Sequence, residues 1–190
     1  MVPVIEALAP HGRVSVDTSK AEVAEAAVAA GATLINDVSA TLGAVAARMG
    51  VGWVAMHMKG APKTMQRDPV YDDVVAEVRA FLVERARAAR AAGVAEVWID
   101  PGIGFGKTTG HNLMLLRHLA ALVATGHPVV VGASRKSFLS RLTGGVAATD
   151  TVEASVAVAV HAMTAGAAMV RVHDVAATVQ AARLVSEQVS

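Results

Sequence analysis

The chain has 190 residues, of which 54% are hydrophobic and 17% charged, so it can bury one globular core and is short for two. A formal charge of +1 gives no reason to expect nucleic acid or an anionic membrane as a partner. The absence of cysteine excludes disulfides, thiolate metal sites and a cysteine nucleophile. We therefore predict one domain over residues 1–190 that binds small molecules.

The hydrophobicity pattern indicates neither export nor a membrane span. The first residues, MVPVIEALAPHG, carry a glutamate and no basic flank, which argues against a secretory signal, and a cytoplasmic location fits best. A long stretch without Asp, Glu, Lys or Arg covers 154–170, contains His161, Thr164 and Gly166, and is marginal for crossing a bilayer. We interpret it as a helix, a glycine stop and a strand.

Six short apolar runs rich in Val and Ile share one layout along the chain. Each follows an alanine-rich helical pattern closed by a glycine, which suits the left-handed position just past a helix, and each ends in polar residues. In chain order the runs are GRVSVDT, GATLIND, GVGWVAMH, GVAEVWID, GHPVVVGASRK and GAAMVRVHD. Their polar ends are Asp17; Asn36 and Asp37; His57; Asp100; Ser134, Arg135 and Lys136; and Arg171 and His173.

Apolar strands separated by helices predict a parallel sheet covered by helices, so the fold class is α/β. Six parallel strands can complete an open doubly wound sheet, whereas an eight-unit barrel usually needs about 250 residues and would be incomplete here. In both architectures ligands bind at the carboxyl ends of the strands. The pattern alone does not decide between the open sheet and the incomplete barrel.

The glycine-rich segment IDPGIGFGKTTGHN, residues 99–112, is not a nucleotide loop. Pro101 occupies the first glycine position of the phosphate-loop pattern, and Lys107 follows where the dinucleotide fingerprint needs a glycine. We expect the three glycines that precede Lys107 to bring the backbone close to a ligand held by Asp100.

Six motifs in this order resemble the dihydropteroate synthases of the pterin-binding enzyme family. They are SVDTSK, LINDVSA, MHMKGAPKTMQ, IDPGIGFGKTTGHN, VVGASRKSFL and VRVHDV. The resemblance extends over about residues 2–185 and implies a TIM-type (β/α)8 barrel. Family members begin with two further βα units that this chain lacks. The resemblance therefore implies that the chain forms strands three to eight, which are six βα units of an incomplete pterin-binding barrel domain. The unpaired strand edges would favour association, and a homodimer is one form this could take.

The resemblance also implies a reaction and its partners. 6-Hydroxymethyl-7,8-dihydropterin diphosphate would be condensed with p-aminobenzoate to give 7,8-dihydropteroate and pyrophosphate. Mg²⁺ would be the cofactor, although the family loop that contributes to its site is absent, and we predict no metal ligand in this chain.

The resemblance assigns the pterin ring to residues at the strand ends. Asp100, predicted as catalytic, would accept hydrogen bonds from the 2-amino and N3–H edge, Asn36 would read the ring from the neighbouring strand, and Asp17 would lie at the far side of the pocket. The alternative for Asp100 is a helix N-cap or a loop turn, and for Asp17 it is capping of the next helix. Met56 would form an apolar wall, although an ordinary core methionine has the same sequence pattern.

The remaining assignments concern anionic groups and the loop. Lys136 and Arg171, both predicted as catalytic, would meet the pterin carbonyl and the phosphate, respectively; a solvated basic helix start is the alternative for Lys136. The other substrate-binding predictions are Phe105 at the mouth, Gly132 in the turn, Ser134 near the p-aminobenzoate carboxylate and His173 at the pyrophosphate. The residues predicted as scaffolding are Asp37, Lys107, Thr108, His111 and Asn112.

Two other functions compete with synthesis of dihydropteroate. A pterin-dependent methyltransferase would have no use for diphosphate-binding groups, so the SRK and RVHD motifs count against it. A chain that binds pterin weakly, or only folds, is the non-enzymatic alternative. The enzymatic interpretation requires the candidate side chains to converge on one cavity.

Overall fold

A computed structural model describes residues 1–187, over which helices and strands alternate. The strands are β1 (Ser15–Asp17), β2 (Leu34–Asp37), β3 (Gly52–Met56), β4 (Val97–Asp100), β5 (Val130–Val131) and β6 (Met169–Val170). The helices are α1 (Val2–Leu8), α2 (Ala21–Ala29), α3 (Gly43–Met49), α4 (Val74–Ala91), α5 (Thr109–Arg117), α6 (Ala120–Val123), α7 (Ser137–Leu142), α8 (Val152–Thr164) and α9 (Val175–Glu187), with a 3₁₀ turn at Ala148–Asp150.

Contacts between residues divide the chain into two compact units. The first unit comprises Met1–Met58 and Ala80–Asp100, and the second comprises Lys59–Arg79 and the chain from Pro101 onward. The single domain over residues 1–190 stays a prediction.

The first unit contains a four-stranded sheet in the order β1-β2-β3-β4, and every pairing is parallel. All residues of β2 and β3 are buried, as expected for central strands covered on both faces. Ile35 and Ala55 have no exposed surface, and Trp53 is only 1% exposed. The sequential strand order lacks the reversal that characterises a doubly wound sheet.

The second unit contains β5 and β6, which form a parallel pair with Val130 opposite Met169 and Val131 opposite Val170. Leu119 and Leu122, near the end of α5 and in α6, are fully buried, and Phe138 of α7 is 2% exposed. Because both strands run in the same direction, the segments that follow them leave the pair at the same end.

The repeated order of helix, glycine and strand is confirmed, with two corrections. The glycines that close the second to sixth helical patterns have positive φ, for example 68° at Gly50 and 95° at Gly166, whereas Gly12 does not. Strands β5 and β6 end at Val131 and Val170, so the polar groups expected at their ends lie in the following turns. The strand pairing stops before these residues because their backbone turns away, with Arg135 in the left-handed region at φ 58°.

The long uncharged segment forms α8, a left-handed glycine and β6, as predicted. In the part of the chain that the structure describes, no helix combines the length and apolar character needed to cross a membrane.

Candidate active site

Four candidate residues lie at the carboxyl end of the first unit's sheet, and we call them the strand-end cluster: Asp17, Asn36, Met56 and Asp100. The sheet register places Asn36 opposite Asp17 and Met56 opposite Asp100. Asp100 and Met56 are each 1% exposed and Asn36 is 4% exposed, while Asp17 is open to solvent. A buried carboxylate and a buried carboxamide at the same end of one sheet are polar groups suited to a ligand edge that donates hydrogen bonds.

The side chains of Asn36 and Asp17 are joined directly. The Asn36 Nδ2 donates to Asp17 Oδ2 at 2.7 Å, which fixes the orientation of the carboxamide. Helix α2 has Lys20 at its N-cap without a side-chain bond, and the Lys20 N–H donates to the Thr18 hydroxyl at 3.0 Å. Asp17 is therefore not a helix cap.

The capping alternative is also wrong for Asp100. Helix α5 begins after Thr108, whose hydroxyl accepts from the His111 N–H at 3.1 Å, while the His111 ring accepts from the Thr108 N–H at 3.3 Å. Asp100 ends β4, and its carbonyl accepts from the His57 N–H at 3.0 Å. No capping role remains for this carboxylate.

Asp37 is structural, as predicted. Its fully buried carboxylate accepts hydrogen bonds that fold the turn between β2 and α3 around it. The donors are the Ser39 N–H and hydroxyl, the N–H groups of Thr41 and Leu42, and the Trp53 indole N–H. Because these donors use the Asp37 carboxylate as their acceptor, it stabilises the fold and is not a ligand-binding group.

The second unit holds the other candidates, which we call the loop cluster: Phe105, Gly132, Ser134, Lys136, Arg171 and His173. Lys136 is not a solvated helix start, because its ammonium donates to the Ile103 carbonyl and lies 4.3 Å from the centroid of the Phe105 ring. The ammonium is thereby held over the loop that follows β4.

Gly132 creates room for the guanidinium of Arg171. A Cβ at Gly132 would lie 2.6 Å from Arg171 Nη2 and 3.0 Å from its Cζ, closer than such atoms approach. The backbone at the end of β5 can therefore lie directly against the guanidinium plane.

Two further contacts join the turns that follow β5 and β6. The Ser134 hydroxyl accepts from the His173 N–H at 3.2 Å and lies 3.2 Å from its Nδ1. Beside them, Arg135 binds Asp174 through two bonds of 3.1 and 2.5 Å. The Arg135 guanidinium holds the pKa of the Asp174 carboxyl below its ordinary value. The turns that carry Ser134, Lys136, Arg171 and His173 are thus fastened to each other.

Residues 101–108, which we call the β4 loop, are held by the predicted scaffolding residues. Asn112 Oδ1 accepts from the Gly104 N–H at 2.8 Å, and the buried Lys107 ammonium donates to the carbonyls of Gly102 and Phe105 at 3.0 Å each. Together with the α5 cap, these bonds confirm the scaffolding prediction for Lys107 and its neighbours.

Sequence reasoning missed three residues that support these groups: Gln66, Tyr71 and Asp174. Gln66 and Tyr71 donate to carbonyls of the β4 loop, and Asp174 pairs with Arg135. The aspartate of VRVHDV was a usable signal because it follows the predicted ligand His173. Gln66 and Tyr71 lie in a long segment without periodicity, and nothing in the pattern indicated which backbone they would reach.

The described residues offer no ready metal centre. Among residues 1–187 no group of three or more His, Asp or Glu side chains is placed to hold a metal ion. Magnesium as a cofactor stays a prediction.

Comparison with known proteins agrees with the motifs. A family model described as pterin binding enzyme matches residues 1–173. The dihydropteroate synthase of Escherichia coli K12 is 43% identical over 198 residues, which cover 100% of this chain and 70% of that enzyme.

Solved structures give the same relationship. Dihydropteroate synthase from Thermus thermophilus in complex with 6HMPPP has a TM-score of 0.96 and 47% identity, covering 100% of this chain and 78% of that one. The same enzyme in complex with 4-aminobenzoate has a TM-score of 0.94 and 48% identity, covering 98% of this chain and 75% of that one.

This likeness confirms the fold class, six βα units of a TIM-type barrel, over the open doubly wound sheet. The substrate roles of the individual residues, and their convergence on one cavity, stay predictions. The chain belongs to the pterin-binding enzyme family, as a member of its dihydropteroate synthase branch.

Proposed function

We propose that the chain condenses 6-hydroxymethyl-7,8-dihydropterin diphosphate with p-aminobenzoate, giving 7,8-dihydropteroate and pyrophosphate. The observation that carries this proposal is the buried carboxylate of Asp100 at the end of β4, in a chain that matches dihydropteroate synthases along its whole length. The relatives are synthases by name, which disfavours the methyltransferase alternative.

The strand-end cluster would bind the pterin ring. The 2-amino and N3–H groups of a pterin form a donating edge, and Asp100 supplies a carboxylate acceptor for it. Each such bond to a charged group contributes about 1.5 to 3 kcal/mol net. Asn36, oriented by Asp17 at 2.7 Å, would discriminate ring atoms by its fixed carboxamide, and Met56 would pack on the apolar face.

The loop cluster would bind the polar and anionic parts of the substrates. Lys136 would donate to the pterin carbonyl and ring nitrogen, leaving the Ile103 carbonyl that it contacts. Arg171 would stack on the ring and meet phosphate, and His173 would bind the pyrophosphate. Ser134 would lie near the p-aminobenzoate carboxylate.

The reaction needs no nucleophile from the protein. The amine nitrogen of p-aminobenzoate forms a bond to the exocyclic methylene carbon of the pterin. The bond from that carbon to the diphosphate oxygen breaks, its electron pair leaves with pyrophosphate, and the amine releases one proton. The chain contributes by holding the ring and by placing cationic groups where negative charge grows on the leaving group.

We propose that magnesium accompanies the diphosphate rather than residing in the chain. The substrate's phosphate oxygens are ligands that Mg²⁺ prefers, and the described residues supply no cluster of three protein ligands. We assign no step to the ion. Cytoplasmic location and a homodimer stay predictions that fractionation and sedimentation would test.

Titration with the pterin diphosphate, with and without Mg²⁺, followed by addition of p-aminobenzoate, tests the proposal. Saturable binding and pyrophosphate release that requires p-aminobenzoate are expected. Binding without release would favour a chain that only binds pterin. Absence of binding would contradict the proposal.

A further inference from the structure

Five consecutive carbonyl groups of the β4 loop accept hydrogen bonds from side chains. The donors, in the order of the carbonyls of Gly102, Ile103, Gly104, Phe105 and Gly106, are the Lys107 ammonium, the Lys136 ammonium, the Gln66 carboxamide, the Lys107 ammonium again and the Tyr71 hydroxyl. No regular secondary structure is present in this loop to satisfy those carbonyls. Side chains do so instead, and the Gly102 carbonyl also accepts from the Phe105 N–H at 3.0 Å.

The loop has a particular need for such bonds. Gly102, Gly104 and Gly106 have φ values of 65°, 82° and 61°, in the region that glycine enters freely and other residues avoid. A segment with three such glycines has many accessible conformations, so external donors decide which one is kept.

Two of the donors already have an interpretation, because Lys107 is part of the loop's scaffold and Lys136 is a predicted substrate ligand. The other two, Gln66 and Tyr71, lie in the 57–73 segment between β3 and α4, to which the proposed reaction assigns nothing. Gln66 Nε2 donates to the Gly104 carbonyl, and Tyr71 Oη donates to the Gly106 carbonyl at 2.8 Å.

Tyr71 is itself held in place. The Lys59 ammonium lies 4.1 Å from the centroid of its ring and pairs with Glu77 at 3.2 Å. The ring packs edge-on against His111, with centroids 4.9 Å apart, and His111 belongs to the cap of α5. Burial, with a smaller contribution from Glu77, raises the pKa of Tyr71 to about 12, so its hydroxyl keeps the proton that it donates.

The two segments also touch through their backbones. A Cβ at Gly106 would lie 2.1 Å from the Lys59 carbonyl oxygen, so only glycine permits this approach. The hydrogen bonds from Gln66 and Tyr71 thus join two segments whose backbones are in contact at Lys59 and Gly106.

We propose that Gln66 and Tyr71 are positioning residues for pterin binding that act by fixing the conformation of the β4 loop. The inference rests on the proposed function, because the loop directly follows Asp100, the predicted acceptor for the pterin edge. Neither residue touches the reacting atoms. Their bonds to Gly104 and Gly106 limit the loop to the conformation that receives the ring.

The first test does not depend on activity. Tyr71→Phe keeps the ring and removes the hydroxyl, and Gln66→Ala removes the carboxamide. In each variant, amide hydrogen exchange over residues 102–107 should become about 2- to 10-fold faster, the range expected for one lost hydrogen bond. Thr64→Ala is the matched control, since the hydrogen bond described for its hydroxyl goes to the nearby Ala61 carbonyl at 3.5 Å and not to the β4 loop. Unchanged exchange in both variants, or an equal increase throughout the chain, would overturn the inference.

The second test connects the loop with the ligand. Both variants should raise the Kd and KM for the pterin diphosphate by about 2- to 10-fold and leave the KM for p-aminobenzoate unchanged. A merely structural role would lower the melting temperature without this split. Faster loop exchange with unaltered pterin affinity would overturn the inference. If the unsubstituted chain binds no pterin, the proposed function fails, and the exchange measurement still decides whether these residues fix the loop.

Discussion

Two strands of the first unit's sheet, β2 and β4, end in buried aspartates whose surroundings differ. The carboxylate of Asp37 accepts hydrogen bonds from its own turn and from Trp53. Asp100 ends β4 and caps no helix. Residue type and position could not separate the two. In the structure, the Asp37 carboxylate is identified as structural by the donors of its own turn and by the Trp53 indole.

Asp100→Ala tests the ligand role. We expect pterin affinity to fall by about 100-fold or more, because two hydrogen bonds to a charged group are lost, each worth about 1.5 to 3 kcal/mol. Urea denaturation of the same variant checks that the fold is retained. Isothermal titration with the pterin diphosphate measures the first quantity, and unchanged affinity would remove Asp100 from the site.

Asp37→Ala tests the structural role of this carboxylate. The Trp53 indole and the N–H groups of Thr41 and Leu42 would lose their acceptor inside the fold. We expect the free energy of unfolding to fall by about 3 kcal/mol or more, since each buried donor left without a partner costs about 1 to 3 kcal/mol. Urea denaturation measures this loss, and an unchanged free energy of unfolding would contradict the structural role of Asp37.

The pair formed by Arg135 and Asp174 predicts a pH dependence. The pKa of Asp174 is lowered in the folded chain, chiefly by the hydrogen bonds from the guanidinium. Its contribution to the unfolding free energy is therefore complete above the ordinary aspartate pKa of about 3.9 and is lost as the pH falls through the lower folded value.

Asp174→Asn removes that contribution, so the difference between the urea midpoints of parent and variant should shrink as the pH falls below about 4. Asp150→Asn is the control, because this carboxylate meets only the Thr149 hydroxyl, at 3.3 Å, among the bonds described. A difference that stays constant from about pH 6 to about pH 2 would show that the ion pair does not have the assigned effect.

At the scale of elements, the sequence predicted the order of helices and strands and the central role of glycine. Hydrophobic runs and left-handed glycines are local signals, which explains the success at β2, β3 and β4. The ends of β5 and β6 were placed too late. Their limits depend on the turns that follow them. These turns are fixed by the Arg135 N–H, which donates to the Ser155 hydroxyl, and by the His173 N–H, which donates to the Ser134 hydroxyl, and the partners come from distant parts of the chain.

The β4 loop gives an element-scale prediction. Gly106→Ala would place a Cβ 2.1 Å from the Lys59 carbonyl oxygen, whereas Gly50→Ala, at the similar φ of 68°, meets nothing within 4 Å. We expect Gly50→Ala to cost about 1 to 2 kcal/mol for the left-handed backbone, and Gly106→Ala to cost at least about 1 kcal/mol more for the contact. Equal unfolding free energies in the two variants would contradict the close approach of the loop to Lys59.

For the molecule as a whole, the motifs predicted the family and fold class, and the comparisons confirm both. Strand-end positions such as Asp100 and Asn36 could be found from the sequence because parallel strands place their carboxyl ends at one edge. The supporting contacts of Gln66 and Tyr71 could not be found, since irregular segments carry no periodic signal for the backbone they meet.

Formation of 7,8-dihydropteroate tests the central claim most directly. The chain is incubated with the pterin diphosphate, isotopically labelled p-aminobenzoate and Mg²⁺, and the product is quantified by mass spectrometry beside pyrophosphate. We predict labelled dihydropteroate in equal amount to pyrophosphate, and loss of both in Asp100→Ala. A chain that binds the pterin diphosphate but forms no labelled product would contradict its assignment as a synthase.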